Sequence, residues 1–256
     1  MLHQVHDPER LRAFYERAPE ANARARNVLY RLRRPEAQVW VDDPNEPRGA
    51  LLTQDGKLWD LTCPDPADAA RLLDPFVPAG QVVFVGVAAP LLEQVRGRWP
   101  VVVETPTDLY LLPEGSELRV PSSPAPIIGA LGPDDAEVVS RAWPHDDFES
   151  PAAKLAYVRA CLASGPACGV REQGELASFA LTHLDGSMGI LHTEPAARRR
   201  GLGRNVTVAL ARQVLARGGL VYGYVAVGNT ASQRLVESLG MRPVQRGAWL
   251  TVRPAA

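Results

Sequence analysis

The stretch Leu191-His-Thr-Glu-Pro-Ala-Ala-Arg-Arg-Arg-Gly-Leu-Gly-Arg204 constrains this chain more than any other. It reads as an apolar strand, a short loop carrying Arg198-x-x-Gly201-x-Gly203, and then a helix to about Arg217 with Val206, Leu210 and Val214 on one face. Glycines at 201 and 203 let the backbone turn tightly and bring successive N–H groups close to a ligand. The helix that follows places unpaired N–H groups and its positive dipole end at the same point. Flanking arginines can add charge-assisted bonds, so the segment has the makings of a pyrophosphate cradle. It is not a P-loop, because no Gly-Lys-Ser/Thr follows, and Val206 replaces the third glycine of a dinucleotide fingerprint. Read alone, it also fits a turn that binds nothing, a solvated arginine surface or a minor nucleic-acid patch.

The densest punctuation lies at Pro113, Gly115, Ser116 and Pro121–Pro126. The expected division is therefore 1–120, a linker at 121–126, and 127–256. The second part reads as strand 127–131, a helix opened by Gly132-Pro133-Asp134, and a helix from Ser150-Pro151 to about Ala163. Strands 167–171, 175–183 and 187–193 follow, joined by Gln173-Gly174 and Asp185-Gly186 turns. The helix from Gly203, strand 220–227, helix 229–239 and a strand pair within 244–252, broken at Gly247, complete the order β-α-α-β-β-β-α-β-α-β-β. The first part repeats this order weakly: helices 8–17 and 21–33, strands 39–41, 50–53 and 57–61, helix 66–73, strand 81–85, helix 89–96, and strands 101–104 and 109–112. The fold class expected is α/β (α+β), each half a mixed central sheet with flanking helices.

Apolar residues at 46% can furnish a core, and a net charge of −1 argues against a dedicated nucleic-acid binder. Cys63, Cys161 and Cys168 form no CxxC pair and have no histidine at metal-ligand spacing, so no metal site is expected. Met1–Arg10 is polar, and the longest apolar run, Val82–Leu92, contains Gly86 and Pro90 and falls short of the ~20 residues that span a bilayer. A cytoplasmic protein without membrane partners is the expectation.

Arg-x-x-Gly-x-Gly entering a helix after an apolar strand resembles the acyl-CoA loop of the GNAT N-acyltransferase superfamily. A second mark is a strand ending in Asn at the start of the next helix, here Tyr224-Val-Ala-Val-Gly-Asn229-Thr-Ala-Ser232-Gln-Arg-Leu235, closed by Leu239-Gly240. The resemblance covers 127–256. Val39-Trp40-Val41-Asp42, the Asp185-Gly186 turn and Asn229-Thr-Ala-Ser-Gln233 look like the two-domain glycine N-acyltransferase-like branch, whose first half is degenerate.

The resemblance implies that the backbone of Leu191, His192 and Thr193 pairs with the pantetheine arm, one N–H facing the thioester oxygen as an oxyanion hole. It assigns the pyrophosphate to Arg198, Arg199, Arg200, Gly201, Leu202, Gly203 and Arg204. Asn229 would reach the pantetheine amide, a role compatible with capping its helix, and Ser232 would touch the CoA arm. The usual acid–base positions are changed: Ser187 and Gly189 stand where a base would be, and Val236 where a tyrosine would protonate the thiolate. His183 is the best substitute base, with its ordinary pKa near the working range, and the alternatives are a solvent-facing or turn-packing histidine, a base acting through water, or no base for an acceptor of low pKa. Tyr224, the second candidate catalytic residue, is expected to line the acceptor pocket, and Tyr222, on the same face of its strand, fits the pocket and the core equally well.

In the first half, Thr62-Cys-Pro-Asp-Pro66 offers no cradle, because two prolines lack N–H groups and Asp65 would repel an anion. The expected function is acyl transfer from acetyl-CoA or another acyl-CoA to the amine of a small molecule or amino acid. Acyl-CoA binding without catalysis is the alternative, motivated by the missing acid and base. Acceptor, acyl chain length and oligomeric state are not legible.

Overall fold

Ala50–Thr53 is buried at every position, as a strand covered on both faces must be, and a sheet extends from either side of it. The computed structural model describes residues 1–120, 127–145 and 148–254, so the expected linker at 121–126 lies outside the described residues. In chain order the first part forms β1 (His3–Val5), α1 (Arg12–Tyr15), α2 (Ala23–Arg26), β2 (Gln38–Val41), β3 (Ala50–Thr53), β4 (Leu58–Thr62), α3 (Ala69–Leu73), β5 (Val82–Ala88), α4 (Leu92–Arg96) and β6 (Val101–Leu111). Then come β7 (Gly129–Ala130), α5 (Ala136–Ala142), α6 (Pro151–Ser164), β8 (Ala167–Glu172), β9 (Glu175–Thr182), β10 (Met188–Thr193) and α7 (Leu202–Ala216). The chain closes with β11 (Tyr222–Ala226), α8 (Thr230–Ser238) and β12 (Arg242–Val252).

Two compact units interleave along the chain: Met1–Leu111 with Tyr224–Gln233 and the residues from Arg242 on, and Leu112–Gly223 with Arg234–Met241. The first unit holds a sheet of order β1-β2-β3-β4-β5-β12-β6-β11. On one face Leu72 and Val95, from α3 and α4, pack on Phe84 and Leu250. On the other, Phe14 of α1 and Val28, just beyond α2, pack on Val39 and Leu52. The second unit holds a sheet of order β10-β9-β8-β7. Val139 of α5 and Val158 of α6 cover one face with Phe179 and Ile190, and Val206 and Leu210 of α7 cover the other with Cys168 and Ala180.

Two sequence expectations are corrected. The strands expected at 101–104 and 109–112 are one strand, β6, which runs through Pro106. The carbonyl of Pro106 accepts from Val227 N–H (2.9 Å), where β11 has just ended, so the missing proline N–H breaks no ladder bond to β12. The pair expected within 244–252 is likewise one strand, β12. Gly247 marks no turn there. A Cβ on it would lie 1.9 Å from the carbonyl oxygen of Val87 in β5, so its role is close backbone approach. The structure also adds β1, a strand not expected from sequence, and the second predicted helix widens into a π-turn over Asn27–Arg31.

Candidate active site

The hairpin between β9 and β10 is set by Asp185-Gly186. Gly186 N–H donates to His183 C=O (2.9 Å), His183 N–H donates to Ser187 C=O (2.9 Å), and Gly186 takes the left-handed φ of 83° that closes such a turn. Asp185 is held in the turn by Ser187, whose N–H and Oγ donate to its Oδ1 at 2.9 and 2.6 Å. Ser187 is thereby committed to the turn. His183, fixed at this bend, packs its ring at a tilt 6.0 Å from those of both Trp143 and Tyr157, with Nδ1 2.7 Å from the Tyr157 hydroxyl. Its Nε2 lies 1.9 Å from where a Cβ on Gly189 would stand. The imidazole therefore fills the place of the side chain that β10 lacks at 189. Burial holds its pKa below the ordinary histidine value; Asp185 pulls it up and His145 lowers it further. A neutral imidazole at working pH is the form a general base requires.

β10 is an edge strand with a bulge between Met188 and Leu191. Glu194 N–H donates inward to Ala177 of β9 (2.9 Å), and His192 C=O accepts from Ser178 Oγ (3.1 Å). Antiparallel alternation then turns the backbone of Leu191 and Thr193 toward the open edge. At the start of the strand β11 comes close, since a Cβ on Gly223 would lie 2.5 Å from Met188 C=O, and Tyr222 Oη donates to Asp185 C=O (2.9 Å). Tyr222 is fully buried, so its place is in the core.

The arginine–glycine loop follows. Arg199 and Gly201 both adopt left-handed backbone, with φ of 61° and 79°, and Gly201 caps α7. The first bond of that helix runs from Asn205 N–H to Gly201 C=O (3.0 Å), which leaves the N–H groups of Leu202, Gly203 and Arg204 without a helical acceptor. A Cβ on Gly203 would lie 3.1 Å from Thr193 Oγ1, so the backbone is open where a side chain would crowd the end of β10. Arg198 Nε braces the loop by donating to Thr193 C=O (3.0 Å), and Arg204 donates to Ser238 C=O (3.2 Å). Arg200 pairs with Glu172 at the end of β8, at 2.5 and 2.9 Å. The residues from Thr193 to Arg204 thus form one continuous turn into α7, and the open N–H groups at its start are of the kind that suit an anion.

In the first unit Asn229 is an N-cap, its Oδ1 accepting from Ser232 N–H at 3.1 Å. Tyr224 lies edge-on to Trp249 with ring centroids 5.7 Å apart. Its ring covers the bulged Gly86, whose Cβ would stand 2.2 Å from Cε1. His192 sits 3.3 Å from Glu194, a local pair at the end of β10. Burial pushes the Cys168 thiol up to about 12, so it offers no thiolate nucleophile. Sequence reasoning missed Tyr157 and Trp143 as neighbours of His183. Their signal was slight: a polar-tipped aromatic one helical turn before Cys161, and a Trp beside Pro144.

Residues 168–250, from β8 into β12, match the family model of FR47-like proteins. Among solved structures, a Drosophila protein is similar over 100% of this chain and 99% of its own, at 18% identity and a TM-score of 0.81. A tandem GNAT protein from the clavulanic acid biosynthesis pathway is similar over 100% and 99%, at 16% identity and a TM-score of 0.53. The chain has a tandem GNAT fold. A GCN5-related N-acetyltransferase from Kribbella flavida shares the GNAT fold over 93% of this chain and 96% of its own, at 20% identity and a TM-score of 0.59.

Proposed function

We propose that this protein is an acyl-CoA-dependent N-acyltransferase that moves an acyl group, acetyl foremost, to the amine of a small molecule or amino acid. The observation that carries the reading is one alignment in the second unit: the open N terminus of α7, the outward backbone of Leu191 and Thr193, and the His183 imidazole at Gly189 lie along a single strand edge and its loop. The diphosphate of CoA would sit on Arg199–Arg204, and the outward N–H groups of β10 would take the pantetheine arm and the thioester oxygen. The amine nitrogen would attack the thioester carbon directly in a ternary complex. A C–N bond forms, the C–S bond breaks, the amine proton passes to His183 Nε2, and the departing thiolate is protonated from solvent.

The assignment of Asn229 and Ser232 to the CoA arm, and of Tyr224 to the acceptor, rests on the resemblance. So does the finer likeness to the glycine N-acyltransferase-like branch, whereas the division into 1–120 and 127–256 rests on the Pro, Gly and Ser punctuation, and the cytoplasmic setting on the polar Met1–Arg10 and the short apolar runs. Calorimetry with CoA, followed by thiol release from acetyl-CoA against a panel of amines, tests the proposal. Binding with amine-dependent thiol release is expected. Binding with no turnover on any amine would leave an acyl-CoA-binding protein, and no binding would overturn the site itself.

A further inference from the structure

We propose that Tyr222 is a positioning residue: its hydroxyl pins the turn that carries His183 and so keeps the imidazole at Gly189. The inference rests on the reading of His183 as the base. Connections between strands ordinarily move more than the strands they join, so a hairpin bend is a poor mount for a reacting group unless something outside the bend holds it. Tyr222 supplies that hold. Its Oη donates to Asp185 C=O at 2.9 Å, and because a carbonyl only accepts, the direction of the bond is fixed.

The anchor is itself firm. Leu220, Val221 and Tyr222 are all buried, and Val221 C=O accepts from Leu112 N–H at 2.9 Å. One residue on, the backbone of Gly223 runs so close to β10 that a Cβ there would lie 2.5 Å from Met188 C=O. Tyr222 and Gly223 therefore meet the hairpin at two points, the turn and the first residue of β10. Just past the second point comes the bulge that contains Gly189, the position His183 fills. Within the turn, Ser187 braces the Asp185 side chain, while Tyr222 takes the Asp185 backbone. Without the Tyr222 hydroxyl, the turn would keep its internal bonds and lose its tie to β11. The ring could then lift from between Trp143 and Tyr157 and take on water.

Amide hydrogen exchange on the full-length wild-type protein is the first test. The N–H groups of His183 and Gly186, bonded to Ser187 and His183, are expected to exchange as slowly as those of β9. Distinctly faster exchange would overturn the proposal without any variant. Tyr222→Phe keeps the ring and removes the hydroxyl. It should speed exchange at those two amides about tenfold, the order of one lost hydrogen bond, and leave β8 unchanged. The His183 titration, followed by NMR, should move up toward the ordinary ~6.5. Tyr157, Asp185 and His145, the titratable groups around the ring, are all retained, so such a rise reports lost burial. The acyl-transfer kcat should fall about tenfold, part of the ~10²-fold that a general base supplies. The KM for acyl-CoA should stay constant, because Leu191 and Thr193 lie beyond the bulge. A bond with only a structural role would lower the melting temperature and leave the histidine titration in place, and that result would sink the proposal. Failure of the base assignment shows elsewhere, as an unchanged rate in His183→Ala.

Discussion

The imidazole of His183 stands where a side chain on Gly189 would stand, its Nε2 1.9 Å from the position of that absent Cβ. The two residues belong to opposite arms of one hairpin, so the strand before the loop borrows a functional group from its neighbour. Gly189→Ala should displace the ring. Trp143 and Tyr157 confine it on the far side, so accommodation needs a shift of ångström size. A loss of about 10²-fold in kcat/KM is expected, as for a comparable misplacement of a catalytic group. Unchanged kinetics in the folded variant would count against the imidazole as the reacting group.

His183→Ala should lower kcat/KM by at least ~10²-fold and leave CoA affinity unchanged, because the ring acts on the amine. With an acceptor whose amine is unprotonated across the range, the wild-type rate should rise with pH through an inflection below the ordinary value of ~6.5, the direction in which burial moves this group. The sign for stability follows from the same shift. As pH falls from about 6.5 toward the depressed value, the unfolded chain takes up a proton that the folded ring does not, so folding is weakened over that interval. His183→Gln should lose that component, which denaturant titrations of the two proteins at pH 7 and pH 5 would reveal.

Gly203→Val tests the cradle. Position 203 lies in the first turn of α7, and the intrinsic helix preference of valine over glycine differs by well under ~1 kcal/mol, so the fold should persist. The new side chain would meet Thr193 and fill the space above the open N–H groups. CoA affinity should drop by at least ~10²-fold, the order expected if several charge-assisted bonds of a diphosphate are lost together. Calorimetry on the folded variant decides it; retained affinity would place the nucleotide elsewhere.

Glu172 and Arg200 form an exposed pair at the rim of the same loop, each stabilising the charged form of the other. Glu172→Gln should leave the melting temperature where it is, since exposed pairs contribute little. It should tighten CoA binding several-fold at low salt by releasing Arg200 to the ligand and removing a like charge, an effect that fades by about 1 M salt. An affinity that is weaker, or independent of salt, would show that Arg200 does not face the anion.

The loop was legible because its chemistry is local: glycine conformations, an arginine run and a helix start occupy consecutive residues. The Asp185-Gly186 and Gln173-Gly174 turns were legible for the same reason, and Gly174 and Gly186 both take the positive φ those turns demand. Pro106 and Gly247 misled, since each breaks a strand by local rules and each is tolerated by a neighbour distant in sequence: Val227 for one, Val87 for the other. The setting of His183 was hidden for a related reason. Gly189 read as a vacancy, and what fills it comes from across the hairpin, with Tyr157 brought up by a separate helix. Strand alternation left Tyr222 open between pocket and core, and the buried ring, with its hydroxyl on a backbone partner in the hairpin, takes the core alternative.

β12 lies between β5 and β6, so an interior strand of this sheet is made only after its seven other members. On the ribosome, β5 and β6 must wait with facing edges unsatisfied until about residue 252 has emerged. Such a long-range pairing closes slowly and leaves bare strand edges open to other chains meanwhile. A messenger cut short before β12 would therefore yield a product with an open seam through its first sheet. For the same reason, dividing this gene between its two sequence halves separates strands that complete one another.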